Sequence, residues 1–166
     1  MLLQKAMINA DSSQFDDELN KVTTMLSHYQ IEIGVISADN QRKSFSVGIN
    51  NAELMYIHEH GSPIKNIPER PVLHMTLKYC RDNLLQNVIV KCINGMINLG
   101  WTEDNVKKEL DKLAIRCQSY ARKLIYSNDG RLKANAPSTI KRKGENHPLF
   151  DTGQLARSIT CRITKI

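Results

Sequence analysis

Aromatic residues are scarce in this chain, with one Trp, three Phe and five Tyr among 166 residues, too few for a stacking platform on single-stranded nucleic acid. Missing too are a phosphate-cradling glycine-rich loop, a nucleophile elbow, and a Cys and His set up for covalent catalysis, so neither an enzyme nor a cofactor is expected. Helix-turn-helix and zinc-finger patterns are absent, which removes the usual routes to sequence-specific DNA reading. The cysteines, Cys80, Cys92, Cys117 and Cys161, show no close pairing and lie in apolar-periodic segments. Buried free thiols are expected rather than a disulfide framework or a metal site. No apolar run has the length of a membrane span, and residues 1–10 offer only Leu2, Leu3, Met7 and Ile8 as large apolar side chains, too broken for a signal segment. Folding in a reducing cytoplasm, with no membrane partner, is the expectation.

What is present fits one domain, residues 1–166, long enough to bury a core without staples. The formal charge is +6, and its source is local. Between residues 122 and 144, Arg122, Lys123, Arg131, Lys133, Lys141, Arg142 and Lys143 stand against one acid, Asp129. Such a cluster draws a protein toward nucleic acid or an acidic protein surface.

Apolar spacing predicts the elements. Ser12 or Ser13 can cap a helix in which Phe15, Leu19, Val22, Leu26 and Tyr29 share a face. Ile31, Ile33 and Val35, then Phe45, Val47 and Ile49, alternate with polar or small residues, and Asp39-Asn40 between them predicts an antiparallel hairpin. Residues 52–60 predict a short helix stopped by Gly61. Pro68 and Pro71 hold Ile67 and Arg70 out of the helical region, so residues 64–72 should form an extended arm. A broad-faced helix is predicted over residues 73–97 and should be the most buried. Thr102 caps the next, whose Val106, Leu110, Leu113, Cys117, Tyr120 and Leu124 form a stripe. After Asn128-Asp129-Gly130 come roughly twenty residues without a period, long for a connection in a compact domain and typical of a functional loop. Asp151 or Thr152 can cap a last short helix, and Ile159, Cys161 and Ile163 predict a closing strand. The expected fold is α+β: a small antiparallel sheet of the N-terminal hairpin plus the C-terminal strand, packed with the N-terminal helix and two long central helices, with an extended proline arm and a long basic loop.

Three motifs carry candidate chemistry. Asp151-Thr152-Gly153 after Leu149-Phe150 matches the local signature of an aspartic protease, but the match is three residues deep and only residues 154–166 follow it. A turn and helix cap account for it without catalysis. His58-Glu59-His60 holds three metal-ligand types, yet adjacent helical positions point apart and no metal site is expected. The basic loop, residues 131–144, has two functional readings beside that of a solvated charge run. Its cations meet phosphates, giving affinity without sequence information, or they meet acidic side chains of a neighbouring subunit, setting orientation and association rate.

Two segments together resemble the tail-completion and neck proteins of tailed bacteriophages. The first runs from Tyr56-Ile57-His58-Glu59-His60-Gly61 to Ile67-Pro68-Glu69-Arg70-Pro71-Val72-Leu73, similar to a helix ending in Gly followed by Ile-Pro-x-Arg-Pro and an apolar pair. The second holds Ser138-Thr139-Ile140-Lys141-Arg142-Lys143-Gly144, then Pro148-Leu149-Phe150-Asp151-Thr152-Gly153-Gln154-Leu155 and Ser158-Ile159. It is similar to the family's Thr-Ile-x-x-Lys, Pro-Leu-x-Asp-Thr-Gly and Leu-x-x-Ser-Ile signature. Val72 and His74 depart from the Phe and Arg that such proteins often carry there.

The resemblance implies a non-enzymatic virion structural protein, assembled in the host cytoplasm and sited at the neck or head-proximal tail end. It implies a ring of copies, a hexamer, touching neck, connector or tail-tube proteins and, non-specifically, DNA in the lumen. Ile67, Pro68, Arg70, Pro71, Lys141, Arg142, Lys143, Pro148 and Leu149 are the expected interface residues, Arg70 alternatively fixing the arm. Gly61, Asp151, Thr152 and Gly153 are expected at turns and helix caps. The arm and the basic loop would be two dissimilar projecting patches, as a head-to-tail contact requires. The alternative is a small basic nucleic-acid-binding protein using the same loop.

Overall fold

The computed structural model describes residues 2–36 and 48–166, with side chains described from residue 13 onward. The fold is α+β, in the order α1 (Leu2–Ser27), β1 (Tyr29–Val35), α2 (Asn51–His60), α3 (Val72–Cys80), a π-helical turn (Arg81–Leu85), α4 (Gln86–Asn98), α5 (Glu103–Tyr126), α6 (Pro137–Lys143), α7 (Gln154–Ser158) and β2 (Ile159–Lys165). Helix α1 starts well before the expected cap, so Ser12 and Ser13 lie inside it while Tyr29 opens β1. Residues 2–10 contain no Pro or Gly, and nothing local stops a helix from running through them.

The first and last strands meet. β1 pairs antiparallel with β2 from Tyr29 opposite Lys165 to Val35 opposite Ile159. Of the return strand of the expected hairpin, Phe45, Val47 and the Asp39-Asn40 turn lie outside the described residues, while Ile49 is in no strand and precedes the Asn50 cap of α2. Tyr29 and Lys165 at the end of the ribbon both donate to Glu103 Oε1 at 2.6 Å, tying it to the first turn of α5.

Helix α5, rather than the helix before it, carries the longest buried stripe: Val106, Leu110, Leu113, Ala114, Cys117, Ala121, Leu124 and Ile125. Its N-terminal half packs with α4 and the ribbon around Cys92, and its C-terminal half with Met55, Val72, Leu155 and Ile159. The expected helix over residues 73–97 runs from Val72 to Asn98, re-phased midway by the π turn. At its end Trp101 lies against Gly95, where a Cβ would come within 2.2 Å of the indole. Gly95 O also accepts from Leu99 N and Trp101 N.

The expectation of only free thiols is corrected at one pair. Cys80, closing α3, and Cys117 of α5 are disulfide-bonded with Cα atoms 6.1 Å apart. Their 37-residue separation gives no sequence signal; the packing of α3 on α5 brings them together. Cys92 and Cys161 are free and buried.

Candidate functional site

Helix α2 begins with a capping box: Asn50 Oδ1 accepts from Glu53 N, and Glu53 Oε2 accepts from Asn50 N, both at 2.9 Å. It ends at Gly61, with φ 71°, where a Cβ would sit 2.9 Å from Ile67 O. The chain then doubles back. Ser62 N donates to Ile67 O at 2.8 Å, Ile67 N donates to Ser62 O at 2.9 Å, and Asn66 takes a positive φ in the turn between them. Residues 64–72 are therefore not a projecting extended arm: the Ser62–Ile67 bridge folds the segment back on itself, with Ile64 at the tip 95% exposed and Lys65, Asn66 and Glu69 also exposed.

Arg70 fixes this fold. Its backbone N–H donates to His58 O at 2.6 Å, and its side chain, 4% exposed, turns inward. Nε donates to Lys133 O at 2.6 Å, Nη2 to Ala134 O at 2.8 Å, and Nη1 lies 3.4 Å from His58 Nδ1. Of the two roles considered for Arg70, the geometry is that of an arm-fixing residue.

The segment it grips is more ordered than the expected basic loop. Pro137 at the first turn starts α6, and Gly144, at φ 80°, ends it with its N–H on Ile140 O at 2.8 Å. Lys141 and Arg142 are exposed, but Lys143 is drawn inward, its Nζ donating to His147 O at 2.8 Å and to Phe150 O. His147 stacks on Phe150 and donates from Nε2 to Ile125 O at 2.7 Å. Pro148 is buried and Leu149 has φ 59°. Asp151 and Thr152 form an exposed bend, and Gly153, at φ 73°, stands at the N-cap of α7. No side chain caps that helix, so capping by Asp151 or Thr152 is corrected; Arg157 Nη2 instead donates to Thr152 O at 3.0 Å.

The two stretches enclose one groove of about 440 Å³. Ile67 and Pro68 line one wall, Asn135, Ser138 and Arg142 another, and Leu149 to Gln154 the floor. The expected pair of separate patches is thus one composite surface. Pro71 is half-buried behind it and leads into α3.

Comparison with known proteins returns no relative: no protein-family model, no curated protein and no solved structure matches this chain.

The remaining candidate residues have structural explanations. Glu59 accepts from Leu73 N at 2.9 Å and His74 N at 2.7 Å, capping α3 where Pro71 cannot. His60 Nδ1 donates to Tyr56 O at 3.0 Å, and His58 faces Arg70. The three residues of the His-Glu-His run therefore serve different neighbours. Within the basic region, Arg131 is held by Asp129 at 2.5 Å, and the pair keeps the Asp129 carboxyl far below the usual range. Lys123, Lys133, Lys141 and Arg142 are the other exposed cations of this region.

Sequence reasoning missed α6, the capping role of Glu59 and the inward turn of Lys143. Pro137 and Gly144 do mark the start and stop of α6.

Proposed function

We propose that this chain is a non-enzymatic structural protein of a tailed-phage virion, acting at the neck or head-proximal tail end in tail completion or head-tail joining. It assembles as a ring with copies of itself, six by the family resemblance, and contacts neighbouring neck, connector or tail-tube proteins. One observation carries the reading: the two segments that resemble the family, far apart in sequence, line a single groove, with Arg70 of the first holding Lys133 and Ala134, just ahead of the second. A groove ordered in advance loses little conformational entropy when a partner docks. Lys141 and Arg142 at the end of α6 then act as orienting charges toward an acidic neighbour or lumenal DNA.

A second reading, a basic nucleic-acid-binding protein, is favoured by the exposure of Lys133, Lys141 and Arg142. Sedimentation of the purified protein, with duplex DNA titrated at two salt concentrations, separates the two. Ring formation with negligible DNA binding by the monomer supports assembly. Strong, salt-sensitive binding by a monomer that never forms rings supports the alternative.

A further inference from the structure

The Arg70 groove is lined by cations that meet no acid. Lys65 stands on the wall of Ile67 and Pro68, and Arg142 on the α6 wall, both exposed, while the buried Arg70 lines the same space. None of the three makes an ion pair among the described residues, and Asp151 is the one carboxylate they contribute to the lining. Asn135 Nδ2, buried on the side that leads into α6, has no acceptor among the described residues. A buried donor left without a partner is uncommon and points to an acceptor from outside. Ile67, Pro68, Leu149 and Phe150 make the space between the cations apolar. Such a groove fits a guest that is apolar at its centre and acidic on both flanks.

The chain carries that pattern on α1. Asp16-Asp17-Glu18 is its longest run of acids, and Phe15 precedes it. At about 100° of helix per residue, Asp16 flanks Phe15 on one side and Glu18 on the other, while Asp17 faces away. Phe15 is 50% exposed, and both flanking acids are exposed and in no ion pair among the described residues. Helix α1 packs against α4 and β1, and its packed residues, Val22, Met25 and Leu26, lie about two turns or more beyond Phe15.

We propose that Phe15, Asp16 and Glu18 of one copy enter the Arg70 groove of the next. Phe15 packs against Ile67, Pro68 and Phe150, and the two carboxylates face Lys65 and Arg142. The carboxylate on the α6 side also supplies the acceptor that Asn135 Nδ2 lacks. The inference rests on the ring proposed above and names the contact that builds it. One patch meets a different patch of the next subunit, as a head-to-tail contact requires. A nucleic-acid backbone offers the charge without the apolar centre.

Sedimentation velocity of the full chain over a concentration series tests the contact. One variant reverses the groove, Lys65→Glu with Arg142→Glu, and a second reverses α1, Asp16→Lys with Glu18→Lys. Each alone should weaken self-association roughly tenfold or more, the first despite its lower net positive charge. An equimolar mixture should recover association, because each variant's α1 then meets a groove of opposite sign. Asp151→Asn removes the groove's acid and should strengthen association, a gain that misfolding does not imitate, so this variant decides if a reversal fails to fold; no gain there overturns the proposal. Association that neither reversal changes overturns it and leaves the ring built on another surface, the groove having a different occupant. Loss in both variants without recovery in the mixture overturns it too. An unaltered chain that stays monomeric at every concentration overturns the proposal and the ring together.

Discussion

Arg70 Nε donates to the carbonyl of Lys133 at 2.6 Å, a bond that spans 63 residues of chain. Burial lowers the guanidinium's proton affinity, yet it stays charged, and no carboxylate among the described residues pairs with it. The cation is held by the Lys133 and Ala134 carbonyls, with His58 Nδ1 3.4 Å from Nη1, so its stabilising effect depends on the geometry of that cradle.

Arg70→Ala removes the donors to Lys133 O and Ala134 O together and should cost about 2–3 kcal/mol in denaturant unfolding. Arg70→Lys cannot reach both carbonyls and should recover only part of this. Limited proteolysis should show new cleavage between α5 and α6 in both variants. Unchanged stability and cleavage would mean that the two walls of the groove are held by other contacts.

Gly95→Ala should destabilise by about 1–3 kcal/mol, because the added Cβ meets the indole of Trp101 and must push it out of the α4–α5 turn. The Trp101 fluorescence maximum should move with it. Gly100→Ala is a useful contrast: its Cβ would meet nothing within 4 Å, and its cost comes only from a φ of 65°.

Thiol counting should separate the cysteines into two classes. Desolvation raises Cys161 to about 11 and also lifts Cys92, so neither should react with an alkylating reagent at neutral pH in the folded protein. Two thiols should appear on unfolding without reductant and four after reduction, since Cys80 and Cys117 are bonded. Replacing that pair by Ala should cost about 2–4 kcal/mol.

Tyr29 gives a pH dependence at the alkaline end. Desolvation, then the hydrogen bond to Glu103, raises its phenol from 10.0 to about 12. A raised acid favours the protonated form in the fold, so its contribution is complete below pH 10 and lost as pH rises through about 12. Tyr29→Phe should flatten the stability profile across that window while leaving the profile below it parallel to that of the unaltered chain.

Much of the plan is legible from local signals. The stop at Gly61, the Thr102 cap, the stripe of α5 and the period of two in β2 each follow from neighbouring residues, and each stands in the structure. What escaped depends on distant residues or on very short elements. Pro68 and Pro71 dictate extended dihedrals but not the reversal at Asn66 that folds the segment back. The Cys80–Cys117 bond and the reach of Arg70 to Lys133 exist only once α3 and α5 are packed. Helix α6 is seven residues long, too short for a period, so only its flanking Pro137 and Gly144 announce it.

The most direct measurement of the assembly account is electron microscopy of particles produced with this chain absent. The account predicts separate heads and tails, or tails with aberrant head-proximal ends, restored to joined particles when the chain is supplied. Normally joined, infectious particles in its absence would contradict it.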